Sequence, residues 1–220
     1  LKSDNCKLTG LNVSRINELT DESGKCLSDA LRNKNCKLTK LNISENELTD
    51  ESGRCLSDAL KSENCKLTEL NVSDNELTDE SGRYLSDALK SDNCELTKLD
   101  ISLNNLGDES GRCFSDALKS ENCKLTKLDI SINYLTDESG RYLSDALRND
   151  NCKLTEFYIN GNELTDQSAS FGEALKNGNS KLTKLDIIRR NKSMNVGTKY
   201  LSGLKSRDSK LRPTVLETIM

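Results

Sequence analysis

The stretch CKLTKLDISINYLTDESGRYLSDALRNDN, residues 123–151, recurs almost verbatim through the chain. Copies begin at Cys94, Cys65 and Cys36 in successive steps of 29 residues, and one step of 30 reaches Cys6. Downstream, Cys152 opens a sixth copy, and drifted copies start at Ser180 and Ser209. A fixed period in the twenties marks a solenoid, a stack of short units each touching only its neighbours. The 220 residues therefore read as one quasi-linear domain.

Within the unit, Leu125, Leu128 and Ile130 have the spacing of a short strand, Asn133 and Leu135 follow in a turn, and Thr136 opens a helix. Its hydroxyl suits the cap, Asp137 and Glu138 suit the positive end of the dipole, and Leu143, Ala146 and Leu147 share one face. One such unit buries too little to fold alone, so stacking is obligatory and equivalent strands pair in parallel. Helices are wider than the roughly 4.8 Å between strands, which bends the stack with the sheet inside. The expected fold is an α/β horseshoe with a parallel sheet on the concave face and helices on the convex face. It holds about seven repeats plus a C-terminal partial repeat.

Residues 1–5 match the tail of a repeat helix and read as the remnant of a preceding repeat; Leu1 in place of Met suggests an excised or processed piece. The solenoid spans 6–209, and 210–220, with the single proline, reads as a cap and tail. The first repeat carries an extra residue near Ser14, Arg15 and Ile16, and the sixth breaks the pattern with Phe157, Tyr158, Gly161 and Phe171. In the seventh, IIRRNKSMNVG replaces the usual turn. Gly140, aligned with Gly24, Gly53, Gly82 and Gly111, marks a place where neighbouring coils crowd.

The pattern C-K-L-T-K-L-D-I-S-x-N-x-L-T-D-E-S-G-R-x-L-S-D-A-L resembles the leucine-rich repeat, in its long ribonuclease-inhibitor-like form. The junction Asn122-Cys123-Lys124-Leu125-Thr126-Lys127-Leu128 is similar to that of the nucleotide-binding leucine-rich-repeat (NOD-like) receptors of innate immunity. The resemblance covers Cys6 to about Leu204. It implies a non-enzymatic scaffold that holds a protein partner on its concave surface, as in the sensing part of an intracellular receptor. The alternatives are a secreted bacterial effector that mimics such repeats, or a regulator of an enzyme of the ribonuclease-inhibitor or GTPase-activating type. Two departures stand out: the chain holds no nucleotide-binding domain, and repeats two to five are nearly the same.

Composition narrows the partner. Net charge is −4, with lysine and arginine spread among the acids, which argues against nucleic acid. Apolar runs are too short for membrane insertion. Nine cysteines fall in two columns, one before each strand and one on the helix, where Tyr84 and Tyr142 alternate with Cys26, Cys55 and Cys113. That exchange, with an odd total, indicates reduced packing residues and a cytoplasmic location. The oligomeric state follows from none of these features.

No catalytic residue, metal site or cofactor is expected. Histidine is absent, and no phosphate loop or metal-ligand spacing occurs. The Asp-Glu pairs at each helix start (Asp21/Glu22 to Asp137/Glu138) read as capping and solubility, and the column Asp29 to Asp145 as a solvated face. The asparagine column (Asn17, Asn46, Asn75, Asn104, Asn133, Asn162, Asn191) should satisfy backbone of its own coil and the next.

Variation between repeats locates a candidate site. Before the column asparagine stand Glu45, Asp74, Leu103, Ile132 and Gly161; after it stand Glu47, Glu76, Asn105, Tyr134 and Glu163. The early repeats are acidic there, whereas repeats four to six place Leu103, Ile132, Tyr134 and Tyr158 where no core can bury them. Framed by Lys98, Lys127 and Asp129, these form the expected partner-binding patch.

Overall fold

The computed structural model describes residues 1–16, 19–165, 170–176 and 179–187. The chain alternates β1 (Gly10–Asn12), α1 (Asp21–Leu31), β2 (Lys40–Asn42), α2 (Asp50–Leu60), β3 (Glu69–Asn71), α3 (Asp79–Leu89) and β4 (Lys98–Asp100). It continues through α4 (Asp108–Leu118), β5 (Lys127–Asp129), α5 (Asp137–Leu147), β6 (Glu156–Tyr158), α6 (Ser170–Lys176) and β7 (Lys184–Asp186). The seven strands form one parallel sheet in sequence order. The register joins Leu41, Leu70, Leu99, Leu128, Phe157 and Leu185 into a single buried column. Each successive helix packs on the one before. The expected seventh turn, Asn17, Asn191 and the tail at 210–220 lie outside the described residues.

The core follows the repeat. Leu125, Leu128, Ile130, Leu135, Leu143, Ala146 and Leu147 are all buried, and the same columns fill the coils on either side. Phe157 and Phe171 take over two leucine positions in the sixth coil, their ring centroids 6.3 Å apart. Where the helices approach, a Cβ on Gly53 would lie 2.2 Å from the Ser81 hydroxyl, and Gly24, Gly82 and Gly111 face the next coil's serine in the same way. Crowding between coils is thus the reason for that column.

Polar side chains tie the coils together in one direction. Nδ2 of Asn104 donates to the carbonyls of Val72, Ile101 and Ser102 at 2.9–3.2 Å, and its Oδ1 accepts from Leu77 N. Asn75, Asn133 and Asn162 repeat the arrangement. The neighbour they serve is the preceding coil, not the following one expected from the sequence. A second asparagine column works alongside: Asn64, Asn93, Asn122 and Asn151 each donate to the carbonyl that caps the previous coil's helix. Threonines do likewise between strands, as with Thr68 Oγ1 on Thr39 O.

The aspartates point the other way, which corrects their expected role. Asp50 does not serve only its own helix. Its carboxylate accepts from the backbone N–H and hydroxyl groups of Thr78 and Ser81, at 2.5–3.0 Å, and so caps the helix of the next coil. Asp21 and Asp108 hold the following Thr and Ser in the same way. Partial burial, the largest single influence, pushes these carboxyls up, but the Ser and Thr hydrogen bonds together outweigh it. Asp21, Asp50 and Asp108 are therefore held below the ordinary carboxylate range. Their contribution is present at neutral pH and lost as pH falls through the lowered values. Thermal melting should accordingly drop steeply below about pH 4, and Asp50→Asn/Asp108→Asn should flatten that dependence.

In the fourth coil Gly107 replaces the capping threonine, so α4 lacks the hydroxyl bond of its own N-cap residue and keeps only the cap from Asp79, which accepts from Gly107 N and Ser110 N at 2.8 and 2.9 Å. Its backbone is extended, and an added Cβ would meet only the end of the flexible Asp79 side chain. Gly107→Thr should therefore stabilise the chain by about 1 kcal/mol, through the restored hydroxyl bonds and a less flexible unfolded chain. A melting temperature at or below the parent's would contradict this.

The cysteine columns differ. Cys36, Cys65, Cys94, Cys123 and Cys152 are buried, and burial raises the last four thiols. On the helices, Cys113 is buried, Cys55 half-buried and Cys26 exposed, so that column packs less completely than its exchange with tyrosine implied. With Ellman's reagent, Cys26 should react first and the buried strand-side thiols only on unfolding.

Candidate partner-binding surface

Strand alternation decides which side chains are free. With Leu99 and Leu128 turned into the core, Lys98, Asp100, Lys127 and Asp129 face the other way, onto the sheet surface. Two columns run across it: Lys40, Glu69, Lys98, Lys127, Glu156, Lys184, and beside them Asn42, Asn71, Asp100, Asp129, Tyr158, Asp186. Their members from Lys40 and Asn42 to Asp100, with Lys127, line a trough of about 470 Å³ that begins at β1.

Charges pair along the trough. Glu69 sits between Lys40 and Lys98, 3.1 Å from each ammonium, and these contacts lower its carboxyl. Asp129 behaves oppositely. Burial and the neighbouring Asp100 push its carboxyl up, although Ser131 donates to it at 2.5 Å. Tyr158 lies half-buried between two lysines, Lys127 at 5.0 Å and Lys184 at 4.9 Å from its ring, with its hydroxyl donating to Glu156 at 2.8 Å. Cation–π attraction thus occupies both lysines with the tyrosine.

The apolar candidates lie elsewhere, on the turn leaving the strands. Leu103 is 43% exposed and Tyr134 58% exposed, with Ile132 between buried and exposed. Together with Asn104, Asn133 and Gly161 they line a shallow depression of about 280 Å³. The expected patch is therefore two groups: Leu103, Ile132 and Tyr134 on the rim, and Lys98, Lys127, Asp129 and Tyr158 on the sheet floor.

The rim has a backbone peculiarity. Arg15, Glu45, Asp74, Leu103 and Ile132 all have φ of 52–59°, and Gly161 has 71°. The turn requires this left-handed conformation, since Arg15, Glu45, Asp74, Leu103 and Ile132 each donate their N–H to the next coil, as Leu103 does to Ser131 and Ile132 to Asn160. For a residue with a Cβ it costs roughly 1–2 kcal/mol, and a β-branched residue is worst suited. Glycine, present at position 161, avoids the cost. Repeat comparison singles out these positions, but in the sequence only the lone Gly161 hints at the strain.

Toward the first coils the rim turns acidic. Glu45 pairs with Arg15 at 2.6 Å, whereas Glu47, Asp74 and Glu76 are exposed and make no ion pair among the described residues. Among the described residues there is no group of three or more potential metal ligands, and no helix is long and apolar enough to cross a membrane.

A leucine-rich repeat model matches residues 34–57, 63–86, 92–115, 121–144 and 150–171, more than half of the chain. The chain belongs to the leucine-rich repeat family, whose members generally bind other proteins. Among solved structures it is similar to the actin-binding site 2 fragment of leiomodin-1, at 19% identity and TM-score 0.50, over 66% of this chain and 84% of that one. It is also similar to internalin C2 of Listeria monocytogenes, at 18% identity and TM-score 0.49, over 92% and 78% of the two chains. No curated protein sequence is significantly similar to it.

Proposed function

We propose that the chain is a non-enzymatic recognition module that holds a protein partner across coils four to six. Leu103, Ile132 and Tyr134 supply the apolar anchors, and Lys98, Lys127, Asp129 and Tyr158 the polar contacts. The observation that carries this reading is the exposure of Leu103 and Tyr134 in columns that are acidic in the second and third coils. Clustered exposed apolar residues ringed by charge are what binding hot spots are made of. The raised Asp129 carboxyl adds a place where a cationic group of the partner would be favoured.

The finer setting we propose is the sensing part of an intracellular immune receptor of the ribonuclease-inhibitor-like type, working in the cytoplasm. It is supported by the Asn-x-Cys-x-Leu-Thr-x-Leu junction and by cysteines used as packing residues. The leiomodin-1 fragment binds actin, but at 19% identity the likeness is one of fold.

The test is affinity capture with the parent chain and a Leu103→Glu/Ile132→Glu/Tyr134→Ala variant, matched beforehand by circular dichroism and melting. A partner held by the parent and released by the variant supports the reading. A partner held equally by both moves the binding surface to the helices or the ends of the stack.

A further inference from the structure

The rim differs from coil to coil in charge as well as in exposed apolar residues. Two columns stack along it. One runs Glu45, Asp74, Leu103, Ile132, Gly161, and the other Glu47, Glu76, Asn105, Tyr134, Glu163. The stripe passes from acid in coils two and three to an apolar depression in coils four and five, with no ion pair at Glu47, Asp74 or Glu76 among the described residues. Leu103 and Ile132 occupy positions whose left-handed backbone suits glycine or asparagine. The fold itself does not call for bulky apolar side chains there; a ligand would.

Given the recognition function proposed for coils four to six, on which this inference rests, we propose that the strand-exit rim, rather than the sheet floor, is the primary docking site. Its ligand is an extended protein segment pairing a basic cluster with a bulky apolar side chain. The basic end lies along Glu47, Asp74 and Glu76, and the apolar side chain enters the depression between Leu103, Ile132 and Tyr134. Two coil steps of about 4.8 Å separate the two halves, which an extended chain spans in about three residues. Charge complementarity selects this ligand over an acidic or uncharged one.

The experiment is selection of random twelve-residue peptides, displayed on phage, against the intact chain. Enriched sequences are then synthesised and measured by fluorescence anisotropy at low and high salt. The expected pool places Lys or Arg about three to five residues from Leu, Ile, Phe or Tyr, and its binding weakens with salt. Leu103→Asn/Ile132→Asn should weaken it about tenfold or more, while the melting temperature stays level or rises, because asparagine tolerates the left-handed turn. Asp74→Asn/Glu76→Gln should remove most of the salt dependence.

An acidic or uncharged pool overturns the proposal, as do peptides indifferent to the asparagine variant. A melting temperature well below the parent's would make Leu103 and Ile132 structural and also overturn it. Peptides lost only on Lys127→Glu/Tyr158→Ala would place docking on the sheet floor, sinking the rim but keeping the recognition module. No enrichment at all counts against both.

Discussion

Asn104→Ala is expected to lower stability by about 2–4 kcal/mol, a large effect for one exchange of a polar residue. The reason lies in who is left without a partner. The Val72 and Ile101 carbonyls keep Asn75 and Asn133, and Ser102 O keeps the Asp74 N–H. Leu77 N, donated to Asn104 Oδ1 at 3.0 Å, loses its side-chain acceptor inside the core. An orphaned buried N–H costs its full desolvation, and the space vacated by the amide adds to it. The junction with the first coil supplies an internal control. The first repeat is one residue longer, and Asn46 Oδ1 has no partner among the described residues. Asn46→Ala should therefore cost clearly less, about 1 kcal/mol. Urea unfolding of both variants checks the difference; equal losses would mean that the accepted bond contributes little.

Phe157→Ala should cost about 3–5 kcal/mol, with an uneven distribution along the chain. Phe157 and Phe171 are both fully buried and in contact, so removing one ring loosens the strand and helix layers of the sixth coil together. In a solenoid each coil is stabilised by its neighbours alone, so a defect near one end need not unfold the rest. Hydrogen exchange should show amides from β6 onward losing protection first, while those of coils two to five stay protected. Uniform loss across all coils would show that the stack melts as one unit.

Most of the fold is legible in the sequence, because a residue type held at a 29-residue spacing names its environment. Leu128, Gly111 and Asn133 could each be read as core, close approach and backbone satisfier. The direction of contact was not legible. In near-identical repeats, equivalent Thr and Ser groups stand both before and after Asp50, so the sequence does not distinguish the coil it serves. The Asp-Glu pairs consequently read as local caps, although each aspartate reaches the following helix. The candidate site was legible through contrast, since Leu103, Ile132 and Tyr134 break otherwise acidic columns. Aromaticity makes Tyr158 stand out beside them in the sequence, whereas strand alternation turns it onto the sheet floor between Lys127 and Lys184.

The opposed reach of aspartate and asparagine side chains also makes the stack a vector. Among the described residues, each junction from the first coil to the sixth joins unlike surfaces: one side offers carboxylate acceptors, and the other offers amide donors with unfilled helix caps. Such a surface matches its opposite and never itself. Two copies meeting through these surfaces could associate only head to tail, a heterologous contact that propagates and does not close into a twofold dimer. The same asymmetry lets whole coils be gained or lost in register, because any cut between identical units leaves two faces that still fit.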